Sequence, residues 1–151
     1  MAVIDDDAAA RIERACSQVV FRSVRAFDAQ DWQGFADCFT EGGVFLRASE
    51  PHAPLRGRAA IRDTLAQRPV HRLTRHFCTN LVITPVSEQR AEGHCYLLLY
   101  TGDASKPETT VGRLAHVLQR IGEYHDQFEL TAEGWRIARR LGQLVFYTGT
   151  P

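Results

Sequence analysis

Apolar residues recur every four positions through the first part of the chain: Ile4, Ala8, Ile12, Cys16, Val20 and Val24 form one stripe, and Ala15, Val19 and Phe27 widen it. This period predicts an amphipathic helix with one buried face. Asp5, Asp6 and Asp7 stand at its start, where the helix dipole favours carboxylates. A second, short helix is expected after Asp31, read as its N-cap, with Trp32, Phe35, Ala36 and Phe39 on the apolar side and the Glu-Gly-Gly of residues 41–43 ending it. A third helix fits residues 57–67 and is closed by Pro69.

Beyond Pro69 the period falls to that of strands. Residues 72–86, 91–103, 112–130 and 135–149 read as long strands, and residues 42–46 as a short earlier one. Gly122 marks a bulge or bend, and residues 132–134 make a hairpin turn. Residues 49–57 and 101–111, rich in Pro, Gly or charge, read as loops. Helices grouped first and antiparallel strands grouped last indicate an α+β fold. The expected architecture is one domain over residues 1–151: a curved antiparallel sheet forming a cone, or half-barrel, closed by three N-terminal helices and enclosing an interior pocket.

Charge narrows the function classes. Lys plus Arg number 18 and Asp plus Glu number 18, so the formal net charge is zero. A nucleic-acid binder would carry a basic excess, so no nucleic-acid partner is expected. No apolar run approaches membrane length, so no membrane partner is expected either. The opening "MAVIDDDAAA" carries three acids and no basic region, unlike a secretory signal. Cys16, Cys38, Cys78 and Cys95 form no CxxC pair, and they read as reduced core thiols of a cytoplasmic protein.

The polar residues inside apolar strands carry the candidate chemistry. In "RLTRHFCTN", strict alternation puts His76, Cys78, Asn80 and Val82 on one face. That mixture of polar and small groups suits a pocket wall. His76 is then either a core imidazole satisfied by backbone or a general base, and a base needs a carboxylate to fix its tautomer. Asp28, at the end of the first helix, is the candidate partner, with a turn or capping role as the alternative. In "GEYHDQFE", Tyr124, Asp126 and Phe128 alternate on one face, which either orients a substrate oxygen inside a cavity or points outward. His94 shares a face with Tyr96 and Tyr100; His94 and His116 are second pocket imidazoles or surface residues, and His52 is a loop residue. Arg47, Arg58, Arg62 and the group Arg136, Arg139 and Arg140 read as solvated or paired charges. No GxSxG elbow or phosphate-cradling glycine loop is present. No metal site is expected, because no ligand pair has helical spacing.

Taken together, "RAFDAQDWQGFADCFTEGGVF", "GRAAI", "TRHFCTN" and "GEYHDQFELTAEGWRIARR" resemble the SnoaL-like branch of the nuclear transport factor 2-like superfamily, with scytalone dehydratase as the nearest enzyme class. The resemblance runs from about Ile12 to Arg140. It implies an α+β cone with a deep hydrophobic pocket, frequent assembly into dimers or trimers through the outer face of the sheet, and an aspartate–histidine dyad that falls on Asp28 and His76. The chain departs from scytalone dehydratase in having Phe27 where a tyrosine precedes the aspartate, and in lacking a tyrosine in "GGVFLRASE". The second family histidine falls on His94 or is replaced by Cys95.

The combined expectation is a dehydratase-like lyase that needs no cofactor and acts on a small hydrophobic cyclic substrate. His76 and Asp28 would be the general acid/base dyad, with Asn80, Tyr124, Asp126, His94 and Tyr96 in the substrate-binding set. A ketosteroid-isomerase- or polyketide-cyclase-like enzyme uses similar parts. A non-catalytic ligand-binding or assembly subunit, like the small subunit of ring-hydroxylating dioxygenases, is the other class.

Overall fold

Residues 4–150 are described by a computed structural model of the chain; the first three residues of the segment weighed above as a secretory signal lie outside them, as does residue 151. Helix α1 (Asp6–Asp28) opens where the Asp5 carboxylate accepts the Ala8 N–H at 2.7 Å. The expected stripe is its buried face, through Ile12, Cys16, Val19, Val20, Val24 and Phe27, with Ser23 among them. The helix ends in a Schellman turn: Gln30 N–H donates to the Phe27 carbonyl at 3.0 Å and Asp31 N–H to that of Ala26 at 2.9 Å. Gln30 holds a left-handed φ of 58°, a place usually given to glycine. Its side chain explains the choice. The Gln30 amide donates to the carbonyls of Val70 and Arg72 at 3.1 and 2.9 Å, tying the helix end to distant chain.

Helix α2 (Trp32–Ala36) is capped by Asp31 as expected, with the carboxylate accepting the Gly34 N–H at 2.9 Å. It is shorter than the sequence suggests. Phe39, expected on its apolar side, is the first residue of strand β1 (Phe39–Arg47), and glycines 42 and 43 lie inside that strand. Gly43 serves close approach rather than helix termination: a Cβ there would sit 3.0 Å from the Ile137 carbonyl. Residues expected as a loop form strand β2 (Glu50–Arg56), antiparallel to β1. Its two prolines are tolerated because it is an outermost strand, where a missing N–H removes no ladder bond. Helix α3 (Arg58–Leu65) buries Ile61 and Leu65.

Strands β3 (Arg72–Ser87), β4 (Arg90–Asp103), β5 (Gln119–Thr131) and β6 (Gly134–Thr148) complete one sheet of order β2-β1-β6-β5-β4-β3. Every neighbouring pair is antiparallel except β1 and β6, which run parallel, a departure from the wholly antiparallel expectation. The sheet is curved and open, the expected half-barrel, and α1 lies across β3, β4 and β6. Strand β5 starts at Gln119, seven residues later than residue 112, and the preceding Val111, Leu114 and Val117 are exposed. The four cysteines are free; Cys16, Cys38 and Cys95 are buried and Cys78 is half-buried.

Two irregularities decide which side chains face inward. At Gly122 the register of β5 against β6 shifts, and a Cβ there would collide with the Gln143 carbonyl, so only glycine fits. The face is kept through this bend: Gly122, Tyr124, Asp126 and Phe128 are all buried. In β3 the register shifts between Thr79 and Val82, with Asn80 at a φ of 53°. This bulge swaps the faces. His76 and Cys78 keep to the inner side, Asn80 and Val82 turn outward, and Leu81 and Ile83 pack inward instead.

The core beneath the helices is aromatic at one end, where the rings of Phe27, Phe35, Phe39 and Phe45 meet at centroid distances of 5.3 to 5.8 Å. At its centre sits a charge pair. Arg140 is 0 % exposed; its guanidinium donates to both Asp126 oxygens at 2.8 and 2.6 Å and to the Ser23 hydroxyl at 2.8 Å, and it lies 4.1 Å from the Tyr124 ring centroid. Burial opposes the Arg140 charge, but Asp126 outweighs it and raises the guanidinium pKa further. Removing one partner of such a pair strands the other charge. Arg140→Met is expected to lower unfolding stability by about 3–5 kcal/mol in urea titrations, and the double change with Asp126→Leu to recover most of that loss. A double variant as unstable as the single one would show that the pair is not what matters.

Candidate active site

Asp28 is the last residue of α1, and β3 runs past the helix end. The carboxylate accepts three hydrogen bonds from one short stretch of that strand. Oδ1 lies 2.6 Å from His76 Nδ1 and accepts the Thr74 hydroxyl at 2.8 Å, and Oδ2 accepts the His76 backbone N–H at 2.8 Å. The His76 and Asp28 side chains are 8 % and 14 % exposed. An ionised carboxylate only accepts, so Nδ1 carries a proton, and in the neutral ring Nε2 is left with a free lone pair. Burial pushes the Asp28 carboxyl up, but its bonds to the His76 ring, the His76 backbone and Thr74, with the attraction of a charged His76, hold it below the usual carboxylate range.

His76 lines a cavity of about 310 Å³. Its inner walls are Phe27, Phe45, Leu65, Leu97 and Leu99, with Thr74 and Tyr124 as polar points. The Phe27 ring meets the His76 ring edge-on at 5.0 Å, so the residue replacing the expected tyrosine packs against the imidazole. Tyr124 is 7 % exposed, and burial raises its phenol pKa above the ordinary value, so it stays a protonated donor.

The remaining candidates are distributed differently from the sequence expectation. Asp126 does face inward beside Tyr124, but both its oxygens are taken by Arg140, and it does not line the cavity. Asn80 is turned out by the β3 bulge and is exposed. His94 and Tyr96 stand on the outer face of the sheet, ring to ring at 5.4 Å, and neither lines the cavity. Strict alternation along β4 puts Cys95 and Leu97 inward instead. His94 bonds Glu123 at 3.2 Å, and His125 bonds the same Glu123 oxygen at 3.1 Å. These three donors lie within 4.8 Å of one another, close enough to hold a divalent cation. Helical spacing missed them because strand pairing opposes His94 to His125 and places Glu123 beside both.

Sequence reasoning also missed Thr74 and Arg140. Thr74 shares the alternation of His76 and was one step from the quoted face. Arg140, read as a solvated or paired charge, is paired, but its burial is explained only by its place opposite Asp126 in β5.

The sequence profile of the SnoaL-like domain matches residues 8–141. The chain belongs to the SnoaL-like family. No protein of curated function matches it. Among solved structures, this SnoaL-like chain is similar to a protein of Novosphingobium aromaticivorans provisionally named a scytalone dehydratase, with 24% identity over 89% of this chain and 85% of the other and a TM-score of 0.74. A protein of unknown function from Mycobacterium tuberculosis, in an Asp-to-Asn variant, shares 26% identity over 87% of this chain and 74% of its own, with a TM-score of 0.68. A type 2 hexachlorocyclohexane dehydrochlorinase shares only 15% identity over 89% of this chain and 86% of its own, yet superposes with a TM-score of 0.72. These likenesses establish the nuclear transport factor 2-like fold. Among the described residues of the SnoaL-like chain, no helix is long and apolar enough to cross a membrane.

The Asp28 bonds have a consequence for stability against pH. Its folded pKa lies below the ordinary 3.8, so its contribution is complete above that value and disappears as pH falls through the folded one. The melting temperature of the wild type relative to Asp28→Asn should fall as pH drops below about 4. An offset that stays flat on acidification would show that these bonds add nothing to the fold.

Proposed function

We propose that the protein is a cofactor-independent lyase of the dehydratase type, acting on a small cyclic compound with His76 as general base and acid and Asp28 as its positioning partner. The observation that carries this reading is the 2.6 Å contact between Asp28 and His76 Nδ1 beside an apolar cavity. The contact holds the imidazole in one tautomer and favours the cation that forms when Nε2 takes a proton.

The chemistry balances with these two groups alone. Nε2 of His76 takes a proton from a ring carbon. The electrons of that C–H bond form a carbon–carbon double bond, and the bond to a hydroxyl on the adjacent carbon breaks. The proton on Nε2 then passes to the departing oxygen, releasing water and restoring the neutral ring. The Tyr124 phenol is suited to donate a hydrogen bond to a substrate oxygen and so lower the energy of charge developing there. The apolar walls exclude water, which strengthens each of these interactions.

A binding module or an assembly subunit would need neither a fixed imidazole nor a half-buried carboxylate. An imidazole at the cavity wall, held by a carboxylate behind it, supports the enzyme. The same parts serve isomerisation if the proton returns to another carbon, and the departing group decides between the two outcomes. Assembly is a separate proposal, supported by the apolar residues on the outer surface of the sheet, Phe77, Val82 and Tyr96, which are 55%, 60% and 45% exposed.

Turnover is best sought with a panel of cyclic alcohols, ketones and halides, following product by mass and proton exchange by NMR in heavy water. Once a substrate is found, His76→Ala and Asp28→Asn are each expected to lower turnover by about 10²-fold or more while the melting transition stays cooperative. Undiminished turnover in His76→Ala would remove the imidazole from the mechanism.

A further inference from the structure

Beside its apolar residues, the cavity wall is cationic. Arg47, Arg68, Arg72 and Arg120 all line it. Only Arg47 has a carboxylate partner, Glu50 at 2.6 Å, and its Nε is buried with no partner at all. Arg68, Arg72 and Arg120 take part in no ion pair among the described residues. The neighbouring acids are already engaged. Asp28 is held by His76 and Thr74, and Glu123, which also lines the cavity, has its carboxylate engaged by His94 and His125.

Grouping like charges in a partly enclosed space is unfavourable unless something neutralises them. Burial, then the charges of Arg72 and Arg47, lower the pKa of the Arg68 guanidinium. Arg68 also lies 5.0 Å from the Phe27 ring centroid, and the His76 ring meets the same ring at 5.0 Å. A ligand reaching from His76 past Phe27 therefore meets a guanidinium. Guanidinium forks match the paired oxygens of a carboxylate or phosphate.

We infer that the substrate of this site carries an oxyanion on its ring, a carboxylate or a phosphate ester, held by Arg68 and Arg72 with Arg47 and Arg120 beside them, while the apolar ring occupies the cavity next to His76. This deepens the proposed function and rests on it for the reaction, but the binding it describes needs no turnover. Arg68 and Arg72 become specificity-determining residues that select anionic over neutral ring compounds.

Isothermal titration of the full chain with 1-naphthoate, 1-naphthyl phosphate and the neutral 1-naphthylmethanol tests this. At least one anion is expected to bind about tenfold or more tightly than the alcohol at low salt. The preferred anion tells a carboxylate substrate from a phosphate ester. Raising the salt should weaken the anion and leave the alcohol unchanged. Arg68→Met and Arg72→Met, checked for folding by circular dichroism, should each weaken the anion by about fivefold or more and change the alcohol by less than about twofold. Either variant suffices if the other fails to fold. His76→Ala should keep the anion preference, so loss of catalysis and loss of anion selection read out separately. Equal affinity for anions and alcohol, equal losses for all ligands in the arginine variants, or no binding of either anion would overturn the inference.

Discussion

The Asp28 carboxylate connects the helical layer to the sheet at the cavity. One side chain at the end of α1 accepts from Thr74, from the His76 ring and from the His76 backbone. The three bonds fix the position of the helix end against β3 and the tautomer of the imidazole at the same time. Gln30, two residues on, adds two further bonds to the chain entering β3. Position of the helix and orientation of the proposed base are therefore not separable: any shift of α1 along the sheet would move Asp28 away from Nδ1. Ser23, accepting from Arg140 a turn and a half earlier, resists the same shift from the middle of the helix.

The arginines of the molecule illustrate how differently one residue type is used at two depths. Arg140 lies in the core with its charge matched by Asp126, and the pair supports Tyr124 from behind. Arg68 and Arg72 stand at the cavity without a matching acid. The first arrangement is electrostatically complete and makes the interior rigid. The second leaves a positive field facing the space where a ligand enters, and the intervening Phe27 keeps that field at one remove from the imidazole.

Much of this was legible in the sequence, and the failures share a cause. The four-residue stripe of α1, the Asp31 cap and the alternation of Tyr124, Asp126 and Phe128 are local signals, and each describes the structure. Asp28 and His76 were also recoverable, because each breaks a local pattern in a way that a pocket explains. What the sequence could not show depends on which strands pair. Asn80 was assigned inward because nothing local distinguishes a bulged asparagine from a regular one; only the shift against β4 turns it out. His94 and Tyr96 followed the same strict alternation with the wrong face chosen, since nothing marks the inward side when Cys95 and Leu97 alternate with them. Arg140 is invisible as a core residue without its partner across β6 and β5. The parallel placement of β1 beside β6 likewise depends on a crossover that periodicity does not encode.

Strand β3 ends the sheet, so one row of its backbone groups has no neighbouring strand. Such a rim is a template on which another copy of the chain can add a strand. Asp28 and Gln30 occupy part of it: one takes the free N–H of His76, the other the free carbonyl of Arg72. The outward kink at Asn80 and Pro85 further along deny a straight partner the remainder. The carboxylate beside the imidazole thus also covers part of an open sheet edge, and a chain stripped of it would free the ring and bare a strand border at once.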